Sequence, residues 1–248
     1  MEIGAQFFTV RGFCKTPEEF AESLKKVADI GYKNVQISGT CAYEPEWLRD
    51  ELKKNDLKCV LTHISGDKLA ADAASVAKDH SVFGCDNIGL GYFKFDLEDD
   101  SFERFFNKYP PVAKELYENG KYFMYHNHDS EFIKIEGKTI LEHLAERIPK
   151  EQMGFTLDTF WVQAGGGDPA YWLQRLSGRV PVIHLKDYSF GRKMAVLGEG
   201  NINFDRVFEK AEAGGTQYML VEQDNCNGED PFECLKRSYQ NLRAMGLD

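Results

Sequence analysis

The chain has 248 residues, of which 42% are hydrophobic, and its 40 acidic and 30 basic residues give a formal charge of −10. Nucleic-acid-binding proteins generally carry a basic face, so this acidic balance argues against DNA or RNA as a partner. No apolar run reaches membrane-spanning length, and the first residues lack the basic and apolar segments of a signal peptide. Six cysteines without a CxxC motif indicate reduced core thiols. We therefore expect a soluble, cytoplasmic protein.

Short apolar runs alternate with amphipathic helical patterns along the whole chain. The eight runs are Ile3–Val10, Asn34–Ser38, Lys58–Ile64, Asn87–Tyr92, Tyr122–Tyr125, Gly154–Leu157, Val180–Leu185 and Tyr218–Val221. The first helical pattern opens with Thr16 as N-cap and Pro17 at the first helical position, and it closes on Gly31. We expect Pro110 and Pro111 to break the helix after the fourth run into two pieces.

Repeated strand–helix units predict a parallel sheet. Eight units in a chain of this length fit a closed (β/α)8 TIM barrel, an α/β fold, as a single domain over residues 1–248. An open doubly wound sheet is the alternative. It lacks support, because no GxGxxG motif follows the first run.

Polar side chains stand where the predicted strands end. They are His63 in the third run, His126 and His128 after the fifth, Asp158 after the sixth, His184 and Lys186 in and after the seventh, and Glu222 after the eighth. In a parallel barrel these ends open on one face, where catalytic groups collect. Imidazole nitrogens and carboxylate oxygens suit a divalent ion such as Mn²⁺, Zn²⁺, Co²⁺ or Mg²⁺. The pattern, which contains no thiolate, predicts an open catalytic metal site rather than a structural zinc site.

Five motifs resemble one family, the xylose-isomerase-like TIM barrels of the AP endonuclease 2-like superfamily. They are "YHNHDSEF", "LDTFWVQAGGGDP", "VIHLKDY", "LGEGNINF" and "LVEQDN". The family includes sugar phosphate isomerases/epimerases, tagatose and psicose 3-epimerases, inosose-processing enzymes and endonuclease IV. The resemblance implies one divalent metal ion, bound by His126, Asp158, His184 and Glu222. Most epimerases of the family have a glutamate at the end of strand five, so Glu131 is the alternative to His126.

The resemblance also implies an activity. We expect a sugar isomerase or epimerase that acts on a keto-sugar or other hydroxy-carbonyl sugar through an enediolate. The alternative is a carbon–oxygen lyase, a dehydratase or hydratase acting on a 3-keto-sugar, a keto-glycoside or a keto-inositol. A barrel that binds sugar without turnover is the third interpretation. The expected partner is a small carbohydrate, and the analogy with other barrels of this type leaves open a homodimer.

Three residues are candidates for catalysis. Glu222 could serve as metal ligand and base together, whereas His128 is the other candidate base, since an imidazole titrates near neutral pH. Lys186, two residues after His184, faces the same side and could donate to a developing oxyanion. A salt bridge with a nearby carboxylate is the alternative role for Lys186.

Three further residues are candidates for binding the sugar. His63 could contact the substrate, and Trp161 could form an aromatic wall behind a sugar ring. Glu199 could bind a sugar hydroxyl or only support the turn between its two flanking glycines. The remaining histidines, His80 and His143, fall in helical patterns, and we expect them at the surface.

Overall fold

Eight parallel strands form a closed barrel in the computed structural model, which describes residues 1–247. The strands are β1 (Glu2–Gln6), β2 (Asn34–Ile37), β3 (Lys58–Ile64), β4 (Asn87–Leu90), β5 (Tyr122–His126), β6 (Met153–Asp158), β7 (Val182–Leu185) and β8 (Tyr218–Val221). Each strand pairs with the next along the chain, and β8 pairs with β1 to close the sheet. The predicted (β/α)8 TIM barrel is confirmed, and β3 and β8 have the predicted bounds.

Helices connect the strands and cover the outside of the barrel. Within residues 1–247 they are α1 (Pro17–Ile30), α2 (Pro45–Lys54), α3 (Gly66–Ala71), α4 (Ala73–Val82), α5 (Ser101–Glu118), α6 (Ile140–Arg147), α7 (Thr159–Ala164), α8 (Pro169–Arg175), α9 (Phe204–Ala213) and α10 (Pro231–Ala244). Helix α1 begins as predicted, because the Thr16 side chain accepts a hydrogen bond from the amide of Glu19. None of these helices combines the length and hydropathy needed to cross a membrane.

Five other strands differ from their predicted runs by one or two residues at an end, and two predicted elements differ more. Strand β1 ends at Gln6 and not at Val10, because the Gln6 side chain accepts from Phe8 N and a 3₁₀ helix, Phe7–Phe13, follows. The two prolines do not break α5, which runs unbroken through them. An internal proline costs about 3 kcal/mol or more. Burial of each large apolar side chain on α5, such as Phe105 and Leu116, returns about 1.5–3 kcal/mol, so several of them outweigh that cost.

The expectation that His80 and His143 lie at the surface is wrong, because both are buried. The ring of His80 is 2.7 Å from both Thr62 Oγ1 and the Val76 carbonyl oxygen. Burial lowers the pKa of His80 to about 4. His143 Nε2 lies 2.9 Å from a backbone carbonyl oxygen in the loop before α6. Both imidazoles are thus hydrogen-bonded inside the protein, His80 through both ring nitrogens and His143 through Nε2.

The interior of the barrel has an apolar lower part and a polar upper part. Met124, Val182 and Leu220 belong to a small buried cluster formed by residues of the strands. Each stands two residues before a polar residue at a strand's end, and the period of two places both on the inner face. The apolar layer therefore forms a floor, and the polar side chains lie above it at the C-terminal mouth.

Candidate metal centre and active site

Four polar residues from four consecutive strands meet at the mouth of the barrel. Each of His126, Asp158, His184 and Glu222 offers one ligand atom, and these atoms lie within 4.8 Å of one another. All four residues are buried, with 0–4% of their surface exposed. The structure thus brings together the four residues expected to bind metal, which we call the four-residue group.

Hydrogen bonds outside the group orient both imidazoles. His126 Nδ1 lies 2.9 Å from the carbonyl oxygen of Gly91, which assigns the proton to Nδ1 and leaves the lone pair on Nε2. His184 Nε2 lies 2.6 Å from Gln36 Oε1, which leaves the lone pair on Nδ1. These lone pairs face the carboxylates of the group, the arrangement that second-shell partners produce at metal sites.

In each carboxylate of the group, one oxygen accepts a hydrogen bond from a residue outside the group, and the other oxygen faces an imidazole of the group. Asp158 Oδ1 accepts from Trp161 N at 3.0 Å and caps α7, while Oδ2 is 3.0 Å from His126 Nε2. Glu222 Oε1 accepts from Gln6 Nε2 at 3.0 Å, while Oε2 is 2.9 Å from His184 Nδ1. Four donor atoms, two nitrogens and two oxygens, therefore converge.

Lys186 is the cation nearest to the group. Its Nζ is 3.0 Å from Asp158 Oδ2, 2.9 Å from Glu222 Oε2 and 2.9 Å from Asp224 Oδ1. Burial opposes the ammonium, but the three carboxylates prevail and raise the pKa of Lys186 well above its ordinary value. The alternative role considered for Lys186, a salt bridge, is therefore present, with three carboxylates as partners.

The donor set fits a divalent cation on two further observations. His184 Nδ1 and Glu222 Oε2 are buried and lack a hydrogen bond of acceptable geometry despite their short separation. Three carboxylates and one ammonium leave two negative charges when the imidazoles are neutral and Asp224 is ionised. Buried charge of one sign is costly unless it is compensated, and an ion of charge +2 would compensate it. His126, Asp158, His184 and Glu222 would hold that ion.

A cavity of about 470 Å³ opens beside the group, with His63 and His128 among its lining residues. His63 Nδ1 lies 3.4 Å from Ser38 Oγ, and His63 Nε2 has no hydrogen-bond partner within residues 1–247. His128 Nδ1 is buried and likewise has no hydrogen-bond partner in the described part of the chain. Burial lowers the pKa of His128 to about 3, so the imidazole is neutral at physiological pH. This differs from the expectation that it titrates near neutral pH. Both histidines therefore present free nitrogens near the four-residue group.

The loop after β5 explains the rest of the "HNHDSEF" motif. Asn127 Oδ1 accepts from the amide of Asp158 and so ties the loop to β6. Glu131 accepts from Tyr125 Oη at 2.5 Å, from Ser130 Oγ at 2.9 Å and from the amide of His128 at 2.9 Å. These bonds hold Glu131 outside the four-residue group, so the structure places His126, and not Glu131, among the potential ligands. Burial raises the pKa of Glu131 to about 7.

The other two candidates for sugar binding have different positions. The Trp161 ring lies 5.0 Å from the His128 ring and 5.8 Å from Lys186 Nζ, which places it next to the active-site residues. Glu199 is not among the residues that line the cavity, so the first of its two considered roles, binding a sugar hydroxyl, finds no support in the structure. Its carboxylate pairs with Arg237 on α10 at 2.8 Å. The pattern around its glycines could not reveal this partner, because Arg237 is 38 residues away in sequence.

Two residues of the site, Gln6 and Gln36, were missed in the sequence, and a third, Asp224, belongs to the strand-eight motif "LVEQDN" but was given no role. Gln6 and Gln36 are buried polar residues within apolar strands, and that conflict of pattern was the available signal. Asp224 follows Glu222 by two residues and contacts the same ammonium. Burial raises the pKa of Asp224 to about 7, and the neighbouring Glu222 adds to this effect.

Replacing Gln36 by Leu should weaken binding of Mn²⁺ about 10–100-fold, because His184 loses the acceptor that fixes its tautomer. Isothermal titration calorimetry of metal-free protein would measure this change. Asn34→Leu is the matched control, since Asn34 is a buried amide on the same strand that bonds instead to Glu2 and Ile3. Equal Mn²⁺ affinity in Gln36→Leu and wild type would contradict the positioning role.

Comparisons with known proteins agree with this architecture. A family model described as xylose isomerase-like TIM barrel matches residues 24–245. A curated inosose dehydratase from Mesomycoplasma hyopneumoniae is 24% identical over 270 aligned positions, covering 91% of this chain and 88% of that protein. A sugar phosphate isomerase/epimerase from Parabacteroides distasonis has a TM-score of 0.85 at 19% identity, covering 98% of this chain and 93% of that one. An L-ribulose 3-epimerase has a TM-score of 0.77 at 15% identity, covering 100% and 95%.

Proposed function

The chain belongs to the xylose isomerase-like TIM barrel family, and from that premise we propose that it is a divalent-metal-dependent carbon–oxygen lyase that removes water from a keto-sugar or keto-polyol. The observation that carries this proposal is the four-residue group beside a cavity of about 470 Å³. A divalent cation there would act as a Lewis acid on a substrate carbonyl and so make the neighbouring carbon easier to deprotonate.

The chain supplies groups for both proton transfers. His128 presents an unpartnered nitrogen near the four-residue group and can accept the proton from the carbon beside the carbonyl. Burial makes this imidazole a weak base in the free protein, and the negative charge that develops on the substrate would raise its pKa during the reaction. The electron pair of that bond forms a carbon–carbon double bond, and the carbon–oxygen bond to the hydroxyl on the next carbon breaks. The same imidazole can pass the proton to the departing hydroxyl, which leaves as water. Lys186 lines the cavity, and it could donate a hydrogen bond to the developing oxyanion once a bound cation frees it from one of its three carboxylate partners.

The residue at the end of β5, a histidine, favours loss of water over epimerisation. Epimerisation needs proton transfer on both faces of one carbon, and epimerases of this family use a glutamate at the end of strand five for one face. This chain has His126 there, and the nearby Glu131 is fully engaged by Tyr125, Ser130 and the amide of His128. The likeness to an inosose dehydratase over most of both chains supports the same choice.

Isomerisation or epimerisation, the activity expected from the sequence, is the second candidate. His128 follows β5 and Glu222 follows β8, and these strands are not neighbours in the barrel. Two bases from separated strands could address opposite faces of a substrate. Deprotonation beside a carbonyl is common to this reaction and to dehydration, so the product decides between them.

Product analysis in D₂O tests the proposal. Mn²⁺-loaded protein would be incubated with keto-inositol and a panel of ketoses, and the products analysed by mass spectrometry and NMR. We expect a product that has lost one molecule of water, and no product after the metal is removed by a chelator. Deuterium on carbon without loss of water would instead indicate an isomerase or epimerase. Binding without exchange or turnover would indicate a sugar-binding barrel.

A further inference from the structure

Negative charges outnumber positive ones around the active-site cavity. Among the described residues that line the cavity, one is a lysine or arginine, Lys186, and two are carboxylates, Glu222 and Asp224. The Lys186 ammonium lies within 3.0 Å of three carboxylates, those of Glu222, Asp224 and Asp158. It is therefore already compensated, and it offers no unbalanced positive charge to a ligand.

The neighbouring arginines are engaged elsewhere. Arg11 donates to the carbonyl oxygens of Phe8 at 2.6 Å and Asp224 at 3.0 Å, and its guanidinium stacks 4.1 Å from the Phe8 ring. Phe8 lines the cavity, whereas Arg11 lines a separate surface hollow. The lining residue that the two hollows share is Asp224, again a carboxylate. Arg192, the other nearby arginine, pairs with Asp129.

The charge balance of the site is complete without an anionic ligand. When Asp224 is ionised, Asp158, Glu222 and Asp224 contribute three negative charges, Lys186 contributes one positive charge, and a divalent cation would contribute the remaining two. A phosphate monoester carries about −1.5 to −2 charges at pH 7. Placed in this cavity, it would lose water without gaining a cationic partner, and uncompensated buried charge is strongly unfavourable.

The remaining walls suit a neutral polyol. Ser38, Ser65 and His63 offer hydroxyl and imidazole groups for hydrogen bonds, while Phe8, Leu90 and Tyr92 offer apolar surface. A sugar or cyclitol ring presents the same alternation of hydroxyl groups and C–H faces. The cavity volume also falls within the range of about 300–1,000 Å³ that is usual for small-molecule sites.

We propose that this site takes an unphosphorylated, uncharged polyhydroxy ketone and rejects the corresponding phosphate ester. The inference rests on the proposed function for the location of the site. It concerns the charge of the ligand and not the bond that breaks. The name of a structural neighbour, sugar phosphate isomerase/epimerase, therefore does not extend to the substrate of this chain.

Paired ligands test this inference. The affinity of Mn²⁺-loaded protein would be measured by calorimetry for fructose and fructose 6-phosphate, ribulose and ribulose 5-phosphate, and keto-inositol and its phosphate. In each pair that gives measurable binding, we expect the neutral ketone to bind at least about 100-fold more tightly than its phosphate ester. The reason is that like charges brought together cost several kcal/mol. Equal or tighter binding of the phosphate esters would overturn the inference.

A variant shows whether charge causes the discrimination. Tyr92 lines the cavity and is 59% exposed at its rim, so Tyr92→Arg adds a cation there. The ratio of affinities should shift toward the phosphate ester by at least about tenfold, as expected for a new charge-assisted contact. Tyr92→Gln is the uncharged control, and an equal shift in that variant would contradict the electrostatic cause. Binding of neutral ligands without dehydration would refute the proposed reaction but leave this inference intact.

Discussion

The Asp158→Asn variant should lose both its metal ion and its turnover. The asparagine keeps an oxygen to cap α7 through Trp161 N, but the charged oxygen that faces His126 and Lys186 is gone. Lewis-acid catalysis is worth several kcal/mol of transition-state stabilisation. Since each 1.4 kcal/mol is a factor of ten, the rate should fall on the order of 10³-fold or more. Metal analysis and assays of keto-sugar turnover would measure the two losses.

Asp168→Asn provides a matched control for this variant. Asp168 also caps a helix, α8, by accepting from the amides of Ala170 and Tyr171, but it lies outside the four-residue group. The Asp168→Asn variant should therefore retain wild-type metal content and turnover. Full occupancy and full activity in Asp158→Asn would refute the metal centre, whereas parallel losses in both variants would indicate damage to helix capping instead.

The Lys186→Met variant should be much less stable than wild type in the absence of metal. Removal of the ammonium leaves Asp158, Glu222 and Asp224 without the cation that all three contact. Breaking a buried ion pair from one side costs about 3–5 kcal/mol. Urea unfolding in the presence of a chelator would measure the loss of free energy of unfolding. Turnover should also fall, by about 10²–10³-fold, if Lys186 donates to the oxyanion.

Metal ions should partly rescue Lys186→Met. Added Mn²⁺ should raise its free energy of unfolding more than that of wild type, because the divalent ion replaces the missing positive charge. Lys121→Met is the control, since Lys121 is also buried but pairs only with the exposed Asp86 at 2.8 Å. That exposed partner can be hydrated, so the control should lose less stability and should not respond to Mn²⁺. Wild-type stability of metal-free Lys186→Met would contradict the electrostatic role.

The sequence alone was sufficient to predict the barrel and the location of its site. Eight apolar runs with intervening helical patterns are local signals, and parallel strands necessarily direct their C-terminal ends to one face. The polar residues that follow the runs could therefore be assigned to a common mouth before any contact was known. Asp158, His184 and Glu222 stand out in this way, because Asp158 ends an apolar strand, His184 is the next-to-last residue of another, and Glu222 follows a third.

Only the tertiary structure decided which atoms meet at that mouth. His126 and Glu131 both follow β5, and the choice between them depended on Tyr125, whose hydroxyl holds Glu131 away. Gln36 and His184 are 148 residues apart and lie on strands that are not neighbours, so their hydrogen bond exists only because the barrel closes. Closure also gives Lys186 three carboxylate partners. The period of two along a strand predicts which face of the sheet a residue lies on. Distances across a barrel depend instead on strand register and tilt, which cannot be read from any single segment.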